Sequence, residues 1–230
     1  MTTADDIIKL EAAAARERIG WVLEKSPSRT ILTTSFGVQS AVLLHMVSEM
    51  SPELPVVFVD TGFLFEETYQ FAQELTQRLG LNLKTYKPIM DAKTLVERHG
   101  ELWASGTEGL EQYNQIVKVE PMGRALEDLA PKFWLSGLRR SQAKSRSDRT
   151  VLEEQSGVAK VYPLIDWSER DIYKYLKTHD LPYHPLWEKG FVSVGDYHSS
   201  APLQAGQEHE KTRFSGVKRE CGLHEAGETK

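Results

Sequence analysis

The chain has 230 residues, with 28 Lys and Arg against 33 Asp and Glu, a formal net charge of −5, and a single cysteine. One thiol excludes an intrachain disulfide, a CxxC redox pair and, from one chain, a four-cysteine zinc or iron–sulfur site. With 40% hydrophobic residues the composition is that of a folded globular protein, and its mild acidity argues against a general nucleic-acid binder.

In chain order, residues 5–24 carry apolar side chains at Ile7, Ile8, Ala12, Ala15, Ile19 and Val22, the spacing of one helix. Residues 30–34 read as a short strand that leads through a glycine-containing turn into an apolar helix at 40–50. LPVVFVD at 54–60 is a continuous apolar strand, the pattern of a sheet covered on both faces. A helix over 65–79 is stopped by Gly80, and 81–87 alternate as a third strand. Helices are predicted over 92–99, 108–116 and 122–130, the last opened by Pro121. Residues 133–136 are a fourth strand, 160–162 a fifth, and 168–178 a late helix with Ser168 and Asp171 as a capping box. This rhythm predicts an α/β fold, a doubly wound and mostly parallel sheet that binds ligands beyond the carboxyl ends of its strands. Residues 199–230 differ: only eight of these 32 are apolar and four are glycine, so composition predicts a mobile C-terminal tail.

No apolar run approaches the roughly 18 residues of a membrane span, and residues 1–25 have no apolar leader core. A lone thiol fits a reducing compartment, so the expected location is the cytoplasm, with no membrane or nucleic-acid partner.

Four segments carry candidate chemistry. Ser35, Phe36, Gly37, Gln39 and Ser40 form the turn after the first strand, where a glycine and the N-terminus of the next helix can hold phosphate or sulfate. The Gly-Lys-Ser/Thr ending of a Walker loop is missing, and an ordinary strand-to-helix turn is the alternative. Asp60, Thr61 and Gly62 end the second strand; they can reach a ribose or base edge, or cap the next helix. After the fourth strand come Gly137 and Leu138, then a run to Arg149 that includes Arg139, Arg140, Lys144 and Arg146. From 138 to 149 the local charge is +4, leaving −9 for the rest. Arginine forks suit phosphate and sulfate, so this run points to a small polyanion, the alternative being a solvated helix face. Finally, Arg213, Lys218, Arg219 and His224 surround Cys221, and nearby cations lower a thiol's pKa and favour a reactive thiolate over an incidental one. The seven histidines form no tight metal-ligand pattern, so no metal site is expected.

The motifs TTSFGVQS (33–40), VDTGFLFEETY (59–69), KVEPMGRAL (118–126), GLRRSQAKSR (137–146), PLIDW (163–167), YHPLW (183–187), SVGDYH (193–198) and KRECGLH (218–224) occur in this order. In them the chain resembles the thioredoxin-dependent phosphoadenylyl-sulfate (PAPS) reductases of sulfate assimilation. The resemblance implies an adenine-nucleotide-binding domain over 1–198, of the α-hydrolase type found in ATP pyrophosphatases, and a flexible tail over 199–230 carrying Cys221 as nucleophile. It implies that Lys118, Arg139, Arg140 and Arg213 lie near the phosphosulfate. Cys221 then takes the sulfo group from PAPS as an S-sulfonate. One cysteine cannot resolve that by itself, so thioredoxin or glutaredoxin is the expected partner, with a homodimer as the expected assembly. ATP pyrophosphatase loops carry Asp where Gln39 stands, which sets ATP cleavage aside. The cysteine pairs of the iron–sulfur adenylyl-sulfate (APS) reductases are absent, which implies the cluster-free branch with no cofactor. Two other functions fit the same fold: a pyrophosphatase-type nucleotidyl enzyme or sulfurylase subunit that ignores Cys221, and a non-catalytic nucleotide-sensing or redox-interaction protein.

Overall fold

The computed structural model describes residues 2–204, 206–207 and 212–213. Six strands form one sheet: β1 (Thr30–Thr34), β2 (Pro55–Val59), β3 (Asn82–Tyr86), β4 (Phe133–Ser136), β5 (Leu152–Gln155) and β6 (Val158–Val161). Their order is β3-β2-β1-β4-β6-β5, with every pairing parallel except β5 on β6. The helices are α1 (Ala4–Ala12), α2 (Ala15–Lys25), α3 (Ala41–Met50), α4 (Glu66–Leu79), α5 (Ala92–His99), α6 (Gly106–Asn114), α7 (Glu120–Leu129) and α8 (Glu169–Thr178). Among the described residues no helix is long and apolar enough to cross a membrane.

The continuous apolar strands follow from burial on both faces. Leu32, Val56, Phe58 and Leu135 join the larger core with α2, α3, α4 and α8. Their neighbours Ile31, Val57 and Trp134 turn the other way, onto Met122 and Ala125 of α7. Strand order reverses between β1, whose crossover runs to β2, and β4, which pairs on its other side. That switch point opens a crevice at the carboxyl ends of the strands.

Two expectations need correction. The helix expected over 5–24 is broken: Ala13 is extended, and α1 and α2 are separate. Fully buried Arg18 causes the break by reaching back to cap α1, donating to the carbonyls of Leu10 (2.8 Å) and Glu11 (3.1 Å). The same guanidinium donates to the Pro163 carbonyl and forks onto both Asp166 oxygens, at 2.7 and 2.9 Å. An apolar count is blind to an arginine that satisfies helix-end carbonyls. The second correction is β5, which is charged (LEEQ) because it is an edge strand. It turns into β6 through Ser156 and Gly157, both at positive φ, as a two-residue hairpin requires.

Arg18→Met is expected to lower unfolding free energy by about 3 kcal/mol, because buried carbonyls lose their donors while half-exposed Asp166 can rehydrate. Urea denaturation reads this, and a change under about 1 kcal/mol contradicts the capping role.

Candidate functional site

A cleft of about 710 Å³ lies at the switch point. Its lining is partly apolar, with Leu43, Met122 and Trp134 among the side chains. Its lining is also cationic: Lys118, Arg139, Lys144, Arg146 and Arg213 line it, against the carboxylates Glu169 and Asp196. In an acidic chain, this local excess is what the basic run after the fourth strand predicts.

Of the first turn, Ser35, Gly37, Gln39 and Ser40 line the cleft. Phe36 does not. Its φ of +46° drops its ring into the core, edge-on to Phe58 at 5.0 Å, so it anchors the turn from below. The Ser40 hydroxyl, at the start of α3, is buried without a hydrogen-bond partner. An unsatisfied donor at a helix N-terminus facing a cleft is placed to hold an anion.

Thr61 lines the cleft, whereas Asp60 and Gly62 do not. The Asp60 carboxylate accepts from the Gly62 amide (3.0 Å) and the Tyr69 hydroxyl (2.7 Å), so it braces the turn. Gly62 supplies a φ of +78° beside Ala92.

Gly137, Leu138 and Arg139 line the cleft, and Arg140 does not. Arg139 is buried, with Nη2 2.5 Å from Gln39 Oε1 and 2.7 Å from Glu169 Oε1. Gln39 Nε2 closes this triangle by donating to Glu169 Oε2 at 2.5 Å. Arg140 points away, to Glu11 (2.6 Å) and the Arg149 carbonyl (2.8 Å). Lys144 and Arg146 sit on a 3-10 turn that lines the cleft, where Arg146 donates to Gln142 at 2.6 Å.

Lys118 comes from a π-helical segment, Gln115–Val119, between α6 and α7. Such wide turns re-aim a side chain and mark functional positions. Its ammonium lies 2.6 Å from Asp196 Oδ2 and donates to Asn114 Oδ1 at 3.1 Å. Thr61 donates to Asp196 Oδ1 at 2.5 Å. Burial alone pushes the Asp196 carboxyl up; Lys118 and the Thr61 hydroxyl outweigh it and hold the group below the ordinary carboxylate range. Next to this pair, His198 stacks on Trp103 at 4.1 Å and bonds the Tyr113 hydroxyl at 2.9 Å. Burial pushes His198 down to about 4, so it is neutral at pH 7.

Ser199 and Ser200, in the stretch expected to be tail, pack on the body: both hydroxyls donate to the Asp196 carbonyl, at 3.1 and 3.0 Å, and Ser200 also bridges Arg213. Lys218, Arg219, Cys221 and His224 lie outside the described residues. Asp196 and Glu169 were missed as site residues. Asp196 stands in SVGDYH, where a carboxylate directly after a glycine was the available signal. Glu169 carries no local signal, because it reaches the site from the first turn of α8. Among the described residues, no group of three His, Cys, Asp or Glu side chains is placed to hold a metal ion.

Residues 29–202 match the model of the phosphoadenosine phosphosulfate reductase domain family. A protein of Alkalilimnicola ehrlichii named phosphoadenosine 5′-phosphosulfate reductase is 53% identical over 94% of this chain and 89% of its own. A crystal structure of the PAPS reductase of Candida auris, in complex with phosphate, matches with a TM-score of 0.75 and 29% identity, over 87% of this chain and 98% of that one. The FMN adenylyltransferase of Candida glabrata matches with a TM-score of 0.60 at 16% identity, over 99% and 81% of the two chains, a likeness of fold alone.

Proposed function

Because the chain belongs to the phosphoadenosine phosphosulfate reductase family, whose members are oxidoreductases acting on sulfur groups, we propose that it reduces PAPS to sulfite and adenosine 3′,5′-bisphosphate in sulfate assimilation. The observation that carries this is the cleft itself: apolar side chains and five cations line it, beside a buried Ser40 hydroxyl with no partner. A planar base on the apolar side chains and phosphate and sulfo groups on the cations match that composition.

In this mechanism the Cys221 thiolate attacks the sulfur of the sulfo group. The sulfur–oxygen bond to the 5′-phosphate breaks and the bisphosphate leaves with that electron pair. Lys118, paired with Asp196, and Arg213, packed on Gly195, stabilise charge growing on the leaving phosphate. Cys221 now carries an S-sulfonate. A thiolate of reduced thioredoxin or glutaredoxin attacks its Sγ and expels sulfite; the partner's second thiol then breaks the mixed disulfide, leaving an oxidised partner and free Cys221. The cycle uses no resident cofactor, belongs in a reducing cytoplasm, and runs in a homodimer. Lys144 and Arg146, which follow β4 into the cleft lining, are the cations assigned to a further phosphate.

The test is sulfite release with reduced thioredoxin, comparing PAPS with APS. PAPS is expected to be turned over with much the higher kcat/KM. Turnover of APS but not PAPS overturns the choice of substrate, and turnover of neither overturns the function.

A further inference from the structure

We propose that Gly195 is a positioning residue, the seat on which the Arg213 guanidinium is aimed into the cleft; this rests on the function proposed above. A Cβ built on Gly195 has as its three nearest heavy atoms Nη2, Cζ and Nη1 of Arg213, the latter two at 2.7 Å. All three belong to one planar group, so the guanidinium fills the space that a side chain on residue 195 would need. The backbone of Gly195 is not in the positive-φ region. The glycine is therefore required by space and not by conformation.

The surroundings hold the two parts together. The Gly195 amide donates to the Ser200 hydroxyl at 3.0 Å, and Ser200 is bridged to Arg213. Arg213 Nε donates to the Ser199 carbonyl at 3.3 Å. The neighbouring residue, Asp196, fixes Lys118 at 2.6 Å. Two adjacent residues thus set two cleft cations by different means, Asp196 by charge and Gly195 by shape. A seat of bare backbone orients a guanidinium without adding a counter-charge of its own, which suits a cation that must meet an anionic substrate.

Gly195→Ala, Arg213→Ala and the double variant test this. The methyl group meets the end of a flexible side chain, so Arg213 is expected to swing off its seat while the fold persists. Gly195→Ala is then expected to raise the KM for PAPS roughly tenfold or more, as loss of one charge-assisted contact does. The double variant is expected to be no worse than Arg213→Ala alone. If the methyl instead lowers Tm, removing Arg213 is expected to restore it to the value of Arg213→Ala. A wild-type KM in Gly195→Ala, or losses that add in the double variant in both KM and Tm, overturns the seat. Wild-type protein that releases no sulfite from PAPS overturns the reading of the cleft instead, a result visible before any variant is made.

Discussion

Cys221→Ser protein is expected to release sulfite from PAPS at least on the order of 10³-fold more slowly than wild type, because a serine hydroxyl has no accessible anion to attack the sulfo group near pH 7. Affinity for adenosine 3′,5′-bisphosphate is expected to be unchanged, since the cleft cations are untouched. The single thiol makes a sharper expectation for the wild type. Without a dithiol partner it is expected to release one equivalent of bisphosphate per chain and stop, with its mass increased by one SO3 group on Cys221. A second cysteine in the same chain could resolve the adduct; this chain has none. Sulfite assays, nucleotide quantification and intact-protein mass spectrometry check the three statements. Full activity of Cys221→Ser overturns the mechanism.

Lys118→Met is expected to damage the protein in two separable ways. It leaves Asp196, 1% exposed, as a buried carboxylate without its counter-charge. Breaking such a pair from one side costs about 3–5 kcal/mol. Burial then pushes the orphaned carboxyl up, so it takes a proton more readily in the folded state than in the unfolded one. Its penalty is therefore present at neutral pH and shrinks as the pH falls through that raised value. In the wild type the sign is opposite: the carboxyl held low by Lys118 stabilises above the ordinary carboxylate range, and that contribution is lost in acid. Adding Asp196→Asn to Lys118→Met removes the orphan charge and is expected to restore most of the stability. It is expected to leave kcat/KM down by about 10²-fold or more, because the cation at the leaving phosphate is still missing. Denaturation at two pH values and steady-state kinetics on the two variants check this. Recovery of activity along with stability in the double variant contradicts a catalytic role for Lys118.

The elements most legible in the sequence were those whose signal is local. Thr30–Thr34, Phe133–Ser136 and Ala92–His99 have the bounds expected, since β-rich runs and helix-end residues act within a few positions of themselves. The break at Ala13 was not legible, because its cause is the Arg18 side chain, which is shared with Pro163 and Asp166 some 145 residues away. The same holds within the site. That cleft-lining turns follow the strands was readable from the strand–helix order. Which member of a turn faces the cleft was not: Phe36 serves the core and Asp60 braces its own loop.

By itself, then, the sequence determined the doubly wound sheet, the cationic run after the fourth strand, and the solitary thiol. These depend on composition and on short-range periodicity. Only the tertiary structure decided how the cations are used. Arg139 and Arg140 are neighbours in sequence, yet one turns to Gln39 and Glu169 at the cleft and the other to Glu11 on the far side. Lys118 meets Asp196 across α7, three strands and α8, and Arg213 meets Gly195 from a later segment. Side chains leaving a strand point alternately to opposite sides, and their partners come from distant segments, so packing alone assigns each charge its role.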